Sequence, residues 1–278
     1  PVSLRIRKQT AIRNFLTNCN QSNMSQINTS PVRVGNFTSS GIVALTTRNK
    51  KGDGFGAPAL TYIAETNYER MLGRNIDSET NARATTWGTM VEAIVFELLP
   101  TDYTFSSQLT DTHPTIPYWR GSKDGTKECA ERAVIDIKSP FTLKSFVQLV
   151  LPLYCGLSGL EAMNAIRNGF EYEGFKYPAH KDGDKFYWQL VSNAIINGCD
   201  YAELVIFCPY KSELPEIYKL AEGNPDMKWL AYASENELPA LPDGGKFKNL
   251  NIISFKIPQS DKDFLTECVT SAGAYLIK

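Results

Sequence analysis

The chain has 278 residues, of which 42% are hydrophobic, enough to bury a sizeable core in one large domain or a domain with appendages. No apolar run approaches the roughly 20 residues of a membrane span, and the opening PVSLRIRKQT lacks the apolar stretch of a secretory signal, so the expectation is a cytosolic protein with no membrane partner. The net charge of −1 hides a segregation, because residues 1–52 hold eight basic side chains (Arg5, Arg7, Lys8, Arg13, Arg33, Arg48, Lys50, Lys51) and no acid, whereas the rest carries 21 basic and 30 acidic ones.

In chain order, LRIRKQTAIRNFL (4–16) reads as a weak amphipathic helix and NCNQSNMSQINTS (18–30) as a polar linker. Residues 1–31 are therefore expected to form a basic arm and linker, with the compact domain over 32–278. Residues 57–73 read as a helix closed by Gly73. A second helix spans about Thr85 to Leu99, because Trp87, Met90, Val91, Ile94, Val95 and Leu98 follow a 3.6 period and Pro100 stops it. Glu92 lies off the centre of that stripe, the position of a surface or boundary residue. Strands are expected at 103–108, 117–121 and 132–138, a helix at 186–200 closed by Gly198, strands at 202–209 and 249–258, and a closing helix from Asp261. Strands interleaved with helices make this an α/β protein with a mixed central sheet flanked by helices.

A basic end on an acidic body suits an anionic partner approached from that end, or else a solvated arm. Six scattered cysteines, with no C-x-x-C pair, read as reduced thiols. His113 and His180 are too far apart in sequence to suggest a histidine metal site.

Chemistry concentrates in GSKDGTKECAERAVIDIKSP (121–140). On a strand, residues two apart share a face, so Asp136 and Lys138 project together while Ile135 and Ile137 point the other way. Asp124, between Gly121 and Gly125, sits in a turn that can bring its carboxylate beside Asp136. Two carboxylates sharing a site repel unless a proton or a cation lies between them. Mg²⁺ takes hard oxygen ligands of this kind, with water and phosphate completing its shell. A lysine beside it can orient or deprotonate water or neutralise charge on a phosphate, which suits phosphodiester hydrolysis. The alternative is a salt bridge: Asp136 pairs with a neighbouring Arg or Lys, and Lys138 extends to solvent.

Four segments resemble a known family. Arg33-Val34-Gly35-Asn36-Phe37-Thr38-Ser39-Ser40 resembles Arg-x-Gly-x-x-Thr-(Ala/Ser)-Ser. Trp87-Gly88-x-x-x-Glu92 resembles a Gly-x-x-x-Glu helix. Gly121-Ser122-Lys123-Asp124-Gly125 followed by Asp136-Ile137-Lys138-Ser139-Pro140 resembles a Ser-Pro-Asp-Gly turn and a Glu-(Ile/Val)-Lys-x-Pro strand. Tyr187-Trp188-Gln189-Leu190 with Ala202 to Pro209 resembles a Gln-bearing helix and its strand. In this order, over roughly residues 32–210, they are similar to the PD-(D/E)XK nucleases, and more narrowly to the phage-type alkaline exonucleases, the lambda-exonuclease and YqaJ viral recombinase group. Lys123 stands where the family has Pro, and Asp136 where Glu is commoner. Residues 141–185 are longer than the family needs and are expected as an insertion, a helix plus a loop over the cleft.

The resemblance implies a restriction-endonuclease-like core and a metal-dependent DNA exonuclease working 5′ to 3′ on linear duplex in phage-type recombination. It implies Asp124, Asp136 and the Ile137 carbonyl as ligands of Mg²⁺ or Mn²⁺, and Glu92 as a ligand of a second ion or of its water. Lys138 would be the catalytic lysine, and Gln189 would contact substrate. Arg33, Ser40 and Ser122 would hold a terminal 5′ phosphate. It further implies double-stranded DNA ends as substrate, a single-strand annealing protein as partner and a ring-shaped homotrimer. Two other readings compete: an endonuclease on the same core, and a DNA-binding protein that does not cut.

Three further features read as structural. KKGDGFG (50–56) lacks a phosphate-loop pattern. GLSGL (156–160) is not a nucleophile elbow and reads as packing of small residues. Tyr118, Trp119 and Trp188 read as core rather than as base-stacking platforms.

Overall fold

The computed structural model describes residues 33–76, 83–106, 109–222 and 225–278. The helix expected at 4–16, the linker at 18–30 and so the whole of the arm expected at 1–31 lie outside the described residues.

The central sheet has five strands: β2 (Tyr103–Phe105), β5 (Gly125–Lys127), β6 (Ala133–Lys138), β9 (Tyr201–Phe207) and β10 (Leu250–Lys256), in the order β10-β9-β6-β5-β2. β6 and β9 run parallel, with Asp136 opposite Leu204, and the other pairings are antiparallel. Runs such as Ala133-Val134-Ile135 and Leu204-Val205-Ile206 suit a strand covered on both faces, where every side chain meets a core. Three short strands, β1 (Phe37–Thr38), β3 (Asp111–Thr112) and β4 (Trp119–Gly121), form a separate sheet in the order β1-β4-β3. The strand expected at 117–121 is thus β4 and lies outside the central sheet.

Helices α1 (Ala57–Leu72), α3 (Leu143–Tyr154), α4 (Gly159–Asn168), α5 (Gly183–Asn197) and α7 (Gln259–Gly273) cover one side with the larger core, which includes Ile63, Val134, Phe146, Met163, Leu190, Leu204 and Leu265. Helices α2 (Arg83–Leu98) and α6 (Leu214–Ala221), with the 3₁₀ segment Pro225–Tyr232, cover the other through Trp87, Val91, Ile135, Ile137, Val205 and Ile217. Gly73 and Gly198 close α1 and α5 in left-handed geometry, with φ of 65° and 64°. Both stops were legible because glycine carries no Cβ to clash there.

Parallel strands need a long crossover, and the β6–β9 connection contains residues 141–185. This segment forms α3, α4 and a hairpin of β7 (Phe170–Tyr172) and β8 (Phe175–Tyr177). Phe146, Leu149, Ala162 and Ile166 place its helices inside the larger core. His180 fastens the segment: its Nε2 lies 2.7 Å from Ser145 Oγ, and its Nδ1 accepts from the Asp182 amide at 3.1 Å. His113 is structural too, stacked on Trp119 and accepting the Ile116 amide at 3.1 Å. Trp119 and Trp188 are buried. In GLSGL, Gly159 takes a positive φ of 55° at the start of α4. The described cysteines are free.

Glu203 is buried on β9 and opposite Ile135. Tyr103 Oη donates to it at 2.7 Å and Lys127 Nζ lies 3.0 Å away, so the charge is compensated from β2 and β5.

Gly125 joins the two halves of this arrangement. A Cβ there would lie 2.6 Å from the Thr104 carbonyl oxygen and 2.9 Å from Phe96 Cζ. The tight approach lets α2 pack against the end of β5. Gly125→Ala is expected to destabilise the fold by about 1–3 kcal/mol through overpacking, read as a lower urea midpoint; an unchanged midpoint would show that both the β2 backbone and Phe96 yield freely.

Candidate active site

At the C-terminal end of β6 the sheet delivers Asp136 and Lys138 to the α5 side. Asp136 is completely buried, so the apolar strand does continue into a charge inside the core. Two groups compensate it. Lys138 Nζ lies 2.6 Å from Asp136 Oδ2, and Gln189 of α5 donates Nε2 to Oδ1 at 2.8 Å. Oδ2 receives no aligned hydrogen bond, yet at 2.6 Å the ion pair is close enough to offset its charge. The ring of Phe186 lies 5.0 Å from the Lys138 amine and helps to hold that amine in place. Lys138 keeps 21% exposure, so the site opens to solvent on its side.

Asp124 stands just ahead of β5. Its amide donates to the Ile135 carbonyl at 3.1 Å, and its Oδ2 accepts the Ile137 amide at 2.6 Å. Within a strand, one residue's N–H and C=O face the same edge. The Ile137 carbonyl is therefore turned toward the edge that Asp124 closes. Glu92, partly buried on α2, senses the charges of Asp124, Asp136 and Lys138. Its position off the apolar stripe reflects this cleft. Gly88, one turn earlier, leaves open space beside it.

Three carboxylates thus crowd one lysine. Burial and the Asp136 charge push Asp124 up to about 7, against opposing pulls from Lys138 and the Ile137 amide. Burial and the Asp124 charge raise Glu92 well above the usual carboxylate range. Burial pulls the Lys138 amine down, but Asp136, Asp124 and Glu92 outweigh it and hold it above its ordinary value. The lysine is a fixed cation in this arrangement.

This donor set fits a hard divalent ion: carboxylate oxygens plus a carbonyl, in excess over the one cation among them. Among the described residues no three Asp, Glu, His or Cys side chains stand at the spacing of a finished coordination shell. Instead Asp124 turns onto the Ile137 amide, and Asp136 onto Lys138 and Gln189.

The remaining expected residues form a second group. Arg33 Nη2 donates to Ser40 Oγ at 3.2 Å. β1 runs parallel to β4 with Thr38 opposite Arg120, which carries Ser40 and Ser122 toward the same end of the pair. Ser122 sits 3.2 Å from Thr110 Oγ1, and its carbonyl accepts Asn193 Nδ2 at 3.2 Å. Lys123 is occupied elsewhere, 2.6 Å from Asp111 and 2.7 Å from Asn197 Oδ1. Sequence reasoning missed Phe186 and Asn193. Both lie on the Gln189 face of one helix, three residues before it and four after, and that spacing was the available signal.

Because folded Asp124 binds its proton more tightly than an unfolded aspartate, stability without divalent ions should fall as pH rises from about 4 to about 7. Asp124→Asn keeps an acceptor for the Ile137 amide and removes the charge. In EDTA it should therefore melt above the wild type at pH 8, with the difference shrinking toward pH 5. A variant melting below the wild type at pH 8 would contradict the crowding.

No protein-family model matches this sequence, and no curated protein matches it on sequence alone. Solved structures do match. The alkaline exonuclease LHK-Exo of Laribacter hongkongensis, in complex with dAMP, superposes with a TM-score of 0.52 at 17% identity over 88% of this chain and 89% of that one. A second structure of that exonuclease gives 0.51 at 16% identity over 87% and 88%. A phage-related exonuclease from Haemophilus somnus 129PT gives 0.52 at 13% identity over 86% and 92%. Identities this low establish architecture: the chain has the mixed α/β fold of those exonuclease structures across most of its length.

Proposed function

We propose that the chain is a metal-dependent DNA exonuclease that hydrolyses linear duplex from a 5′ end. The observation that carries this reading is the meeting of Asp124, Asp136, Lys138 and Glu92 at one solvent-open corner, in the fold of known exonucleases. Asp124, Asp136, the Ile137 carbonyl and Glu92 would hold Mg²⁺ or Mn²⁺, one ion or two. When bound, the metal supplies Lewis acidity toward a phosphodiester and a more acidic water.

The chain's own residues do the rest. Lys138, held protonated by its acidic neighbours, donates to a phosphate oxygen or to the attacking water and neutralises charge as it develops. Gln189 fixes the Asp136 carboxylate through Oδ1, leaving Oδ2 to face Lys138 and the cleft. The Asp124 carboxylate is aimed by the Ile137 amide. Arg33, Ser40 and Ser122 grip the terminal phosphate, the arginine with its planar fork and the serines with hydroxyls. The resemblance adds a ring-shaped homotrimer, an annealing partner and a role in phage-type recombination to this reading.

Digestion of end-labelled duplex with Mg²⁺ tests it. Asp124→Ala and Lys138→Ala are each expected to lower the rate by at least about 10²–10³; near-normal digestion by either overturns the site assignment. A covalently closed circle should survive, whereas its cleavage would favour an endonuclease on the same core. Arg33→Ala should reduce the preference for 5′-phosphorylated over 5′-hydroxyl ends, and equal losses on both would remove Arg33 from end binding. A wild type that binds duplex without cutting it under any divalent ion would leave a binding protein.

A further inference from the structure

The small sheet sorts its side chains onto two faces. Ser39, Trp119 and Gly121 turn toward α5. There Ser192 Oγ accepts Trp119 Nε1 at 2.8 Å and lies 2.8 Å from Ser39 Oγ, and a Cβ on Gly121 would collide with Asn193. Strand alternation turns Thr38, Ser40, Arg120 and Ser122 to the opposite face. The contacts there agree: Thr38 Oγ1 lies 3.3 Å from Ser40 Oγ, Arg120 Nη1 donates to Thr112 Oγ1, and Ser122 meets Thr110. Two guanidinium groups, Arg33 and Arg120, therefore share one face with a row of hydroxyls.

Arg120 lies outside every role assigned so far. Among the described residues neither it nor Arg33 forms an ion pair. Its Nε is buried and has no acceptor. A buried donor without an acceptor is costly, the more so on a cation, and orphans of this kind recur where a side chain serves a ligand or ion. The acids nearby are already committed: Asp111, on β3 opposite Gly121, to Lys123, and Glu69, whose charge reaches Arg33, to the Gly35 amide at 2.9 Å.

A phosphate monoester carries a charge of about −1.5 to −2 near pH 7, with three oxygens free to accept, whereas a phosphodiester within a strand carries one. One arginine matches the diester; two arginines flanked by hydroxyls match the monoester. We propose that Arg120 is a second guanidinium ligand of the terminal phosphate and selects a phosphate monoester end over a hydroxyl end or an internal phosphodiester. The proposal rests on the end-binding reading given above. It also links end recognition to chemistry, since Arg120 and Ser122 begin the short segment that ends at Asp124.

The test is binding of a fluorescent duplex bearing either a 5′-phosphate or a 5′-hydroxyl, in EDTA so that nothing is cut. The quantity read is the ratio of the two dissociation constants. The wild type should favour the phosphate. Arg120→Gln should lower that ratio about 10- to 100-fold, the size of a charge-assisted hydrogen bond, and Arg120→Lys should lower it less, because an ammonium keeps the charge but loses the fork. A ratio unchanged in Arg120→Gln, while Arg33→Gln lowers it, overturns the role of Arg120 and leaves the end-binding reading standing. A wild type with no preference overturns both. Should Arg120→Gln fail to fold, Arg120→Lys decides: a lowered ratio supports the proposal and the wild-type ratio overturns it.

Discussion

The crowding of Asp124, Asp136 and Glu92 around a single amine is the constraint on which the rest of this structure turns. A carboxylate as deeply buried as Asp136 is tolerated only where its charge is answered. The protein answers it from two directions: Lys138 from the same strand and Gln189 from α5. The Ile137 amide answers Asp124 in the same way. Gln189 and the Ile137 amide reach their carboxylates only across elements, so the register of β5 on β6 and the seating of α5 are bound to the charge balance of this corner. The imbalance that remains, three acids against one base, is a strained arrangement of the kind found where structure serves chemistry.

The α5 helix carries much of that burden. Its apolar side fills the larger core through Leu190 and Val191. A second face, Phe186, Gln189, Asn193 and Asn197, reaches in turn the Lys138 amine, the Asp136 carboxylate, the Ser122 carbonyl and the Lys123 amine. One rigid element thereby holds both Asp136 and the Ser122-Lys123 turn that leads to Asp124. Its own position comes from the crossover between β6 and β9, whose helix α4 packs beside it and whose helix α3 packs against α4. The long stretch at 141–185 thus has a structural task whatever else it does: it closes a parallel pair and completes the core.

Lys123 shows how position in the fold redirects a residue. In sequence it adds a charge to the turn before Asp124. In the fold it reaches back to Asp111 and Asn197, with its side chain only 11% exposed, and so braces the turn where a proline would otherwise stiffen it.

Local pattern determined a good part of this. Asp136-x-Lys138 on an apolar strand, the stripe from Trp87 to Leu98 and the glycine stops at 73 and 198 are written in short-range spacing, because strand alternation, helical period and left-handed backbone are properties of a few consecutive residues. Tertiary structure alone decided the rest. The three residues of β5 are too few to show a period, and β4 reads like any central strand until β1 pairs with it. That Asp136 is buried at the floor of the cleft depends on α5 bringing Gln189 over it. Gln189, Glu92 and Arg120 acquire their partners from strands and helices distant in the chain, and such pairings obey no local period. They exist only once burial has forced those elements together.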